Sequence, residues 1–363
     1  MQHNGVTRRT FAKTIAAGAA FATLPRLASA ATTTSAAGVV RLSANENPYG
    51  PSASAMHAMT EALQEAPRYP DELTAALCAD VARFHNVTSD EVLLGDGSSD
   101  ILRVVATAYG GAGKRLAMAD PTFEAIGHHA QHDGTEVVKV PLDAAFAHDL
   151  DKMRNADIVY ICNPNNPTGT ITPKQRIREF IATAPASTIV LVDEAYHHYV
   201  NSADYESMIP LAATSPNLIV ARTFSKIYAM AGVRAGYCIA RKSIINKLSA
   251  AQQWDAMNVV ALAGARASLA DSEHVITGRR HNDETKKWLV AQMKAAGFEV
   301  LPSETNFVMI DVRRDVKPLI GAIRDRGVHV GRLFPAMPHH LRVTIGRPAE
   351  MTRFVDAFKA SIT

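Results

Sequence analysis

Thr188-Ile189-Val190-Leu191-Val192-Asp193-Glu194-Ala195-Tyr196 carries an unbroken apolar or β-branched run and then an acid. A run without polar alternation is the mark of a strand buried on both faces, and such strands belong to parallel sheets covered by helices. Comparable short runs lie at 92–94, 115–119, 137–140, 158–161, 218–221 and 237–240, separated by amphipathic segments of helix length. That alternation predicts an α/β fold with a mainly parallel sheet between two helical layers. Ligands in such sheets sit outside the carboxyl ends of the strands. Beyond residue 250 the pattern changes to a long charged helix over 271–296. Strands over 299–311 and 341–345 follow, with helices between and after, as in a smaller α+β lobe. A chain of 363 residues with 47% hydrophobic content exceeds one core, so two lobes are expected. The absence of a repeat period argues against solenoids and propellers.

Three of those strand ends carry polar clusters. Cys162-Asn163-Pro164-Asn165-Asn166-Pro167-Thr168-Gly169 closes one, Asp193-Glu194-Ala195-Tyr196 the next, and Thr223-Phe224-Ser225-Lys226 the third. Together they match what pyridoxal phosphate needs from a protein: an amine to hold its aldehyde, electronic tuning and a phosphate grip. Lys226, just past an apolar strand, is placed to lose hydration and act as a nucleophile. Asp193 at the end of a buried strand is costly without a cation, and a protonated pyridine nitrogen is such a cation. Asn166 and Tyr196 supply donors for a ring phenolate, and Arg234 a planar fork for phosphate, with hydroxyls from Thr223 and Ser225.

With these motifs the chain resembles the fold-type I aminotransferases, in particular their histidinol-phosphate aminotransferase branch. The resemblance extends over nearly the whole chain after residue 38. It includes Asn45-Glu46-Asn47-Pro48-Tyr49-Gly50, Arg68-Tyr69-Pro70-Asp71, Gly97-Ser98-Ser99-Asp100, Pro121-Thr122-Phe123, Pro302-Ser303-Glu304-Thr305-Asn306-Phe307 and Leu341-Arg342-Val343-Thr344-Ile345-Gly346. It implies an aspartate aminotransferase-like fold with a smaller α+β C-terminal domain. It implies that Gly97, Ser98 and Ser99 hold the cofactor phosphate at a helix N-terminus and that Phe123 stacks on the pyridine ring. Tyr69 then reaches the phosphate from a neighbouring subunit, so a homodimer with shared active sites is expected. Arg342 receives the substrate α-carboxylate, with Asn306 and Asn47 on the substrate side. Two departures stand out: Ser99-Asp100 where the family commonly has an acidic pair, and Arg347 where Thr commonly follows the final Ile-Gly.

The first thirty residues differ in kind. Thr7-Arg8-Arg9-Thr10-Phe11-Ala12-Lys13, a short apolar run over 14–24 and Ala28-Ser29-Ala30 have the layout of a twin-arginine export signal. The expected organisation is a signal over 1–30, an arm over 31–55, a large cofactor domain over 56–255 and a small domain over 256–363. The apolar run is too short for a stable membrane span. Export machinery of the twin-arginine type is thus an expected partner, and the periplasm the expected location, with a misread start and a cytoplasmic enzyme as the alternative. Arg8, Arg9, Lys13 and Arg26 account for the basic excess: without them 34 basic residues face 35 acidic ones, −1 instead of +3. Nothing in this balance suggests nucleic-acid binding.

Three cysteines, Cys78, Cys162 and Cys238, are an odd count and read as buried thiols rather than a disulfide framework. His128, His129 and His132, the pair His197-His198 and the pair His339-His340 lack the acids or cysteines that would complete a metal set, so no metal is expected. His197 is close enough to the Asp193 motif to line a substrate pocket. Walker, dinucleotide and Gly-x-Ser-x-Gly signatures are missing, which argues against an ATPase or a serine hydrolase. The reading is an aminotransferase acting on small amino and 2-oxo acids, histidinol phosphate being the donor that the resemblance suggests. A decarboxylase of the same fold, similar to the threonine-phosphate decarboxylases, and an exported non-catalytic amino-acid binder are the alternatives. Arg332 fits either a substrate anion or a structural ion pair.

Overall fold

The computed structural model describes residues 38–362, and the expected export signal over 1–30 and the first part of the expected arm lie outside them. The strands in chain order are β1 (Val40–Leu42), β2 (Val92–Gly95), β3 (Arg115–Asp120), β4 (Glu136–Pro141), β5 (Ile158–Cys162), β6 (Ile189–Asp193), β7 (Leu218–Thr223), β8 (Gly236–Ala240), β9 (Glu299–Val300), β10 (Phe307–Asp311), β11 (Val328–Val330) and β12 (His340–Thr344). Among the described residues, seven strands form one sheet in the order β2-β8-β7-β6-β5-β3-β4. Neighbours from β4 through β7 run parallel, while β8 lies antiparallel to β2 and β7. These are the seven strands the sequence predicts.

Burial explains why β5, β6 and β7 read as continuous apolar runs. Every residue of the three is buried. Val190 and Val192 pack with Val159, Ile161, Leu218 and Val220 on one face. Ile189 and Leu191 pack with Ile158, Tyr160 and Ile219 on the other. Each fully buried aliphatic side chain contributes about 1.5–3 kcal/mol, so both faces stay apolar along the strands, and the polar residues Asp193, Arg222 and Thr223 fall at their carboxyl ends. Helices Asp71–His85, Lys174–Thr183 and Val259–Ala270 cover the first face. Helices Ser98–Tyr109, Ala125–His132 and Lys242–Ala251 cover the second. No helix among the described residues is long and apolar enough to cross a membrane.

A third core gathers the C-terminal elements. β12, β10 and β9 form an antiparallel sheet, and β1 pairs in parallel with β11. Val40 and Leu42 of the arm join Leu289, Val308, Ile310, Val343, Phe354 and Phe358 in that core. The sequence reading did not contain this pairing, because a three-residue strand has no periodicity to read. The strand expected over 299–311 is two strands. Pro302 has no amide to donate, and the Ser303 and Thr305 hydroxyls turn the loop by bonding the carbonyl of Phe307. The long helix expected over 271–296 is Ser272–Ala295, started by Asp271, whose carboxylate accepts from the His274 amide at 3.0 Å.

Behind the strand ends lies a buried ion pair. Arg222 donates to Glu194 at 2.8 Å through Nε and stands 2.6 Å away through Nη2. Ser207 and the Met208 amide complete the carboxylate's partners. Removing one member of such a pair leaves the other charged and dry. Arg222→Met is expected to lose about 3–5 kcal/mol of stability, read from the urea midpoint, and an unchanged midpoint would refute a structural role for the pair.

Three histidines crowd this pair and a fourth lies elsewhere in the core. Burial, aided by the Arg222 charge, draws His85 and His198 down to about 3 and lowers His197 further, and burial alone draws His148 to about 4. These rings are neutral in the folded chain, whereas the unfolded chain protonates them below about pH 6.5. Their contribution to stability is complete above about pH 6.5 and is lost as the pH falls toward 4. Asp193, raised to about 6 by burial, works in the opposite direction but is one group against four. Lys226, drawn down to about 8, adds a small gain as the pH nears 8, so the urea midpoint is expected to climb only slightly from about pH 7 to 8 and to fall steadily as the pH drops from about 6 to 4. A midpoint that rises over that lower range would show that the rings are solvated.

Candidate active site

The sheet register brings the three polar strand ends to one level: Cys162 of β5 stands beside Asp193 of β6, and Asp193 beside Ala221 of β7. A cavity of about 500 Å³ opens over these ends. Its wall includes Asn166, Asp193, Tyr196, Thr223, Ser225, Lys226, Arg234 and Arg342, together with Ser98, Ser99 and Phe123.

One end of the cavity is arranged for an anion. Helix Ser98–Tyr109 begins at Gly97, whose φ of 82° suits glycine, and its first amides have no helical acceptor. A Cβ at Gly97 would stand 2.1 Å from Nη2 of Arg234, so glycine is what lets the guanidinium reach the helix end. Arg234 is held by the Ala231 carbonyl at 2.8 Å and by Ser225 Oγ at 3.3 Å. Thr223 Oγ1 donates to Ser225 Oγ at 3.0 Å. Guanidinium, hydroxyls and the helix dipole converge as a phosphate group requires.

The middle of the cavity holds an acid and an amine with little water. Asp193 accepts from the Tyr160 hydroxyl at 2.9 Å and from the Ala195 amide at 3.1 Å. Burial nevertheless raises its carboxyl to about 6, which leaves it in want of a cation. Lys226 is drawn down to about 8, first by burial and then by the Arg342 charge. Its Nζ donates to the Asn45 carbonyl at 3.3 Å. A buried acid lacking a full counter-charge, a half-neutral amine and a phosphate cradle fit pyridoxal phosphate, and Phe123 offers a ring in the same wall.

Arg342 of β12 forms another part of the cavity wall. It donates to Asn166 Oδ1 at 2.7 Å and to the Ser43 carbonyl at 2.6 Å, while its Nε is buried without a partner. Tyr196 accepts from Asn45 Nδ2 at 2.9 Å and packs edge-on against Phe307.

Several expected residues lie outside this wall. Asn47 donates to the Ile227 carbonyl at 2.8 Å, and Asn306 donates to the carbonyls of Asn45 and Glu46 at 3.1 and 3.3 Å. Both line a separate small cleft and reach the site only through the arm. Tyr69 is 80% exposed and adds nothing to this chain's own cavity. His197 is not in the wall; it is half-buried, its ring 3.1 Å from the Tyr205 hydroxyl. Arg347 donates to the Pro48 carbonyl at 3.0 Å, away from the cavity. No cluster of three or more metal-ligating side chains occurs among the described residues. Conversely, Tyr160 and Asn45 were not assigned roles from sequence. A tyrosine within Ile-Val-Tyr-Ile-Cys was the only signal for the first, and Asn45, at φ 56°, shows its part only through contacts distant in the chain.

The comparisons with known proteins agree with this geometry. The model of the family aminotransferase class I and II matches residues 37–358. A histidinol-phosphate aminotransferase from Symbiobacterium thermophilum is 38% identical over 330 residues, 89% of this chain and 91% of that one. The structure of histidinol-phosphate aminotransferase from Sinorhizobium meliloti in complex with pyridoxal-5'-phosphate superposes with a TM-score of 0.84 at 27% identity, covering 89% of this chain and 90% of that one. An L-threonine-O-3-phosphate decarboxylase from Porphyromonas gingivalis shares the fold, with a TM-score of 0.78 at 22% identity over 89% of this chain and 99% of that one. By the span of the family match and the identity to its relatives, the chain belongs to the class I and II aminotransferases and is a pyridoxal-phosphate-dependent transaminase.

Proposed function

We propose that the enzyme moves an amino group between an L-amino acid and a 2-oxo acid, with Lys226 as cofactor anchor and proton carrier and Arg342 as receptor of the α-carboxylate. The observation that carries this reading is the buried, unpartnered Nε of Arg342 in the same wall as Lys226. Bound pyridoxal phosphate supplies a carbonyl that condenses with amines and a ring that accepts electrons released at the substrate α-carbon.

The protein's own groups do the rest. Asp193 is the counter-charge for the ring nitrogen, and pairing relieves the burial that raises its carboxyl. Tyr196 Oη already accepts from Asn45, so its own hydrogen is free to donate toward the ring phenolate. Asn166 accepts from Arg342 through Oδ1, which leaves its amide hydrogens for the same task. Ser98, Ser99, Ser225, Thr223 and Arg234 hold the phosphate. Because its proton is held only up to about 8, Lys226 Nζ is neutral often enough near neutral pH to act as the base for the α-proton, and acidic enough once protonated to hand it on. Asn47 and Asn306 serve the substrate side by fixing the arm that carries Asn45.

In the same reading the working unit is a homodimer. Tyr69 and Trp254, 80% and 89% exposed, are large aromatic surfaces that a second copy would cover, and Tyr69 would reach the neighbour's phosphate. Residues 1–30 supply the case for export by the twin-arginine route, whose test is the compartment of a protein tagged at Thr363. Histidinol phosphate is the donor that the names of the relatives suggest, but it has no α-carboxylate for Arg342, and free L-amino acids suit both that arginine and an exported enzyme better. The likeness to a decarboxylase is one of fold alone; release of carbon dioxide in place of an oxo acid would favour that chemistry instead.

Two measurements test the site. Loading of the apoenzyme with pyridoxal phosphate is expected to quicken as the pH rises through about 8, where Lys226 becomes neutral, with the visible band absent in Lys226→Ala. A band of wild-type position and intensity in Lys226→Ala would sink the assignment. Gly97→Ala is expected to weaken cofactor binding by about tenfold or more, because its methyl occupies the place of the Arg234 fork. Unchanged affinity, measured by fluorescence titration, would place the phosphate elsewhere.

A further inference from the structure

A second arginine at the cavity wall has its donors engaged in another way. Arg332, in the loop after β11, forms an ion pair with Glu124, in the turn after β3. Its Nη1 donates to the Leu333 carbonyl at 3.1 Å. Its guanidinium carbon lies 4.4 Å from the centroid of the buried Phe334 ring, and that of Arg342 lies 5.1 Å from the same centroid. Phe334 is therefore shared by two arginines. Arg342 keeps a donor free, whereas Arg332 gives one side of its fork to Glu124, another donor to a carbonyl and its face to the ring.

We propose that Glu124 sets the charge of the side chain this enzyme accepts: by neutralising Arg332 it makes the far end of the cavity a place for uncharged side chains and disfavours substrates with a second carboxylate or a phosphate. The inference rests on the reading that Arg342 takes the α-carboxylate. The strength of the pair is not the reason, since side chains 54% and 38% exposed hold each other only weakly through water. The reason is cancellation. An anion brought to Arg332 meets the Glu124 carboxylate at a similar distance, so attraction and repulsion nearly offset. Displacing Glu124 does not help, because its charge stays at the mouth. An uncharged side chain meets the Phe334 ring, Ala125 and the flat guanidinium instead, surfaces that favour packing.

The test uses the holoenzyme, with L-glutamate and L-phenylalanine as donors and succinate and butyrate as unreactive ligands. Half-reaction rates are followed by absorbance in wild type, Glu124→Gln and Arg332→Gln, and ligand binding by the shift of the cofactor band. Wild type is expected to prefer phenylalanine. Glu124→Gln is expected to raise the glutamate-to-phenylalanine ratio of kcat/KM by about tenfold and to tighten succinate relative to butyrate by a similar factor. Arg332→Gln is expected to raise neither ratio. Masking is overturned if Glu124→Gln leaves both ratios within about twofold of wild type, or if Arg332→Gln lowers glutamate use about tenfold, which would mean that Arg332 receives the anion despite Glu124. Butyrate separates the two readings. If Arg342→Ala binds it as tightly as wild type does, the α-carboxylate assignment fails, whatever the Glu124 result.

Discussion

Taking an acid and an amine out of water at the end of one sheet is the constraint around which this molecule is arranged. Burial pushes Asp193 up to about 6 and Lys226 down to about 8, so both groups approach the pH range of the cell. Neither could be kept there on a flexible loop. Asp193 ends β6 and Lys226 follows the end of β7 by three residues; both strands are buried on both faces and paired in parallel register, so their ends move only if two cores move with them. Tyr160 shows the same economy of position. It is a core residue by packing, yet its hydroxyl is one of the two partners of Asp193. The Asp193 carboxylate is thereby oriented without being neutralised, and an incoming ring cation has something left to gain.

The arm before the first helix ties this centre to the C-terminal elements. Asn45 alone bonds the Tyr196 hydroxyl through its amide, the Lys226 amine and Asn306 through its carbonyl, and Thr344 of β12 through its backbone amide. A positive φ at a buried asparagine persists only where the surroundings fix it, and here four contacts do. Because β1 pairs with β11 and Asn45 bonds Thr344 of β12, the arm is anchored to both sheets of the C-terminal core, and its position sets that of Asn45 beside the lysine and the tyrosine. Asn47 and Asn306 act in this chain of contacts: they hold backbone carbonyls and stay out of the cavity wall.

What could be read from sequence follows from range. Strands buried on both faces have a local signature, and all seven of the large sheet were legible, as were the polar residues that end them. Asp193, Asn166 and Lys226 meet because strand ends meet, which is a rule of the fold rather than a property of any one residue. The pairing of β1 with β11 and the reach of Asn45 depend on contacts across some 180 to 300 positions, as the separations of its bonds to Lys226 and Thr344 show, whereas the break between β9 and β10 rests on hydroxyl bonds within one loop that carry no periodicity. His197 illustrates the opposite error. Proximity in sequence to Asp193 suggested the pocket, but a residue four places past a strand end has already turned away, and this one lies against Tyr205 beside the Arg222–Glu194 pair.

Arg342 and Arg332 show that residue type alone does not define an anion site. Both guanidiniums approach Phe334, and both line the cavity. Arg342 is 8% exposed, faces only neutral oxygens and retains a donor with no partner, so a carboxylate arriving there finds a full positive charge in a dry setting. Arg332 is half-exposed and already beside a carboxylate. The difference lies in two neighbours: a carbonyl and an amide oxygen for one, Glu124 for the other. Since the α-carboxylate is common to every amino acid and the side chain is not, a site with one free and one masked arginine separates the two tasks. In the proposed reading the first receives the α-carboxylate of any amino acid, and the second bears on which side chains are tolerated beyond it.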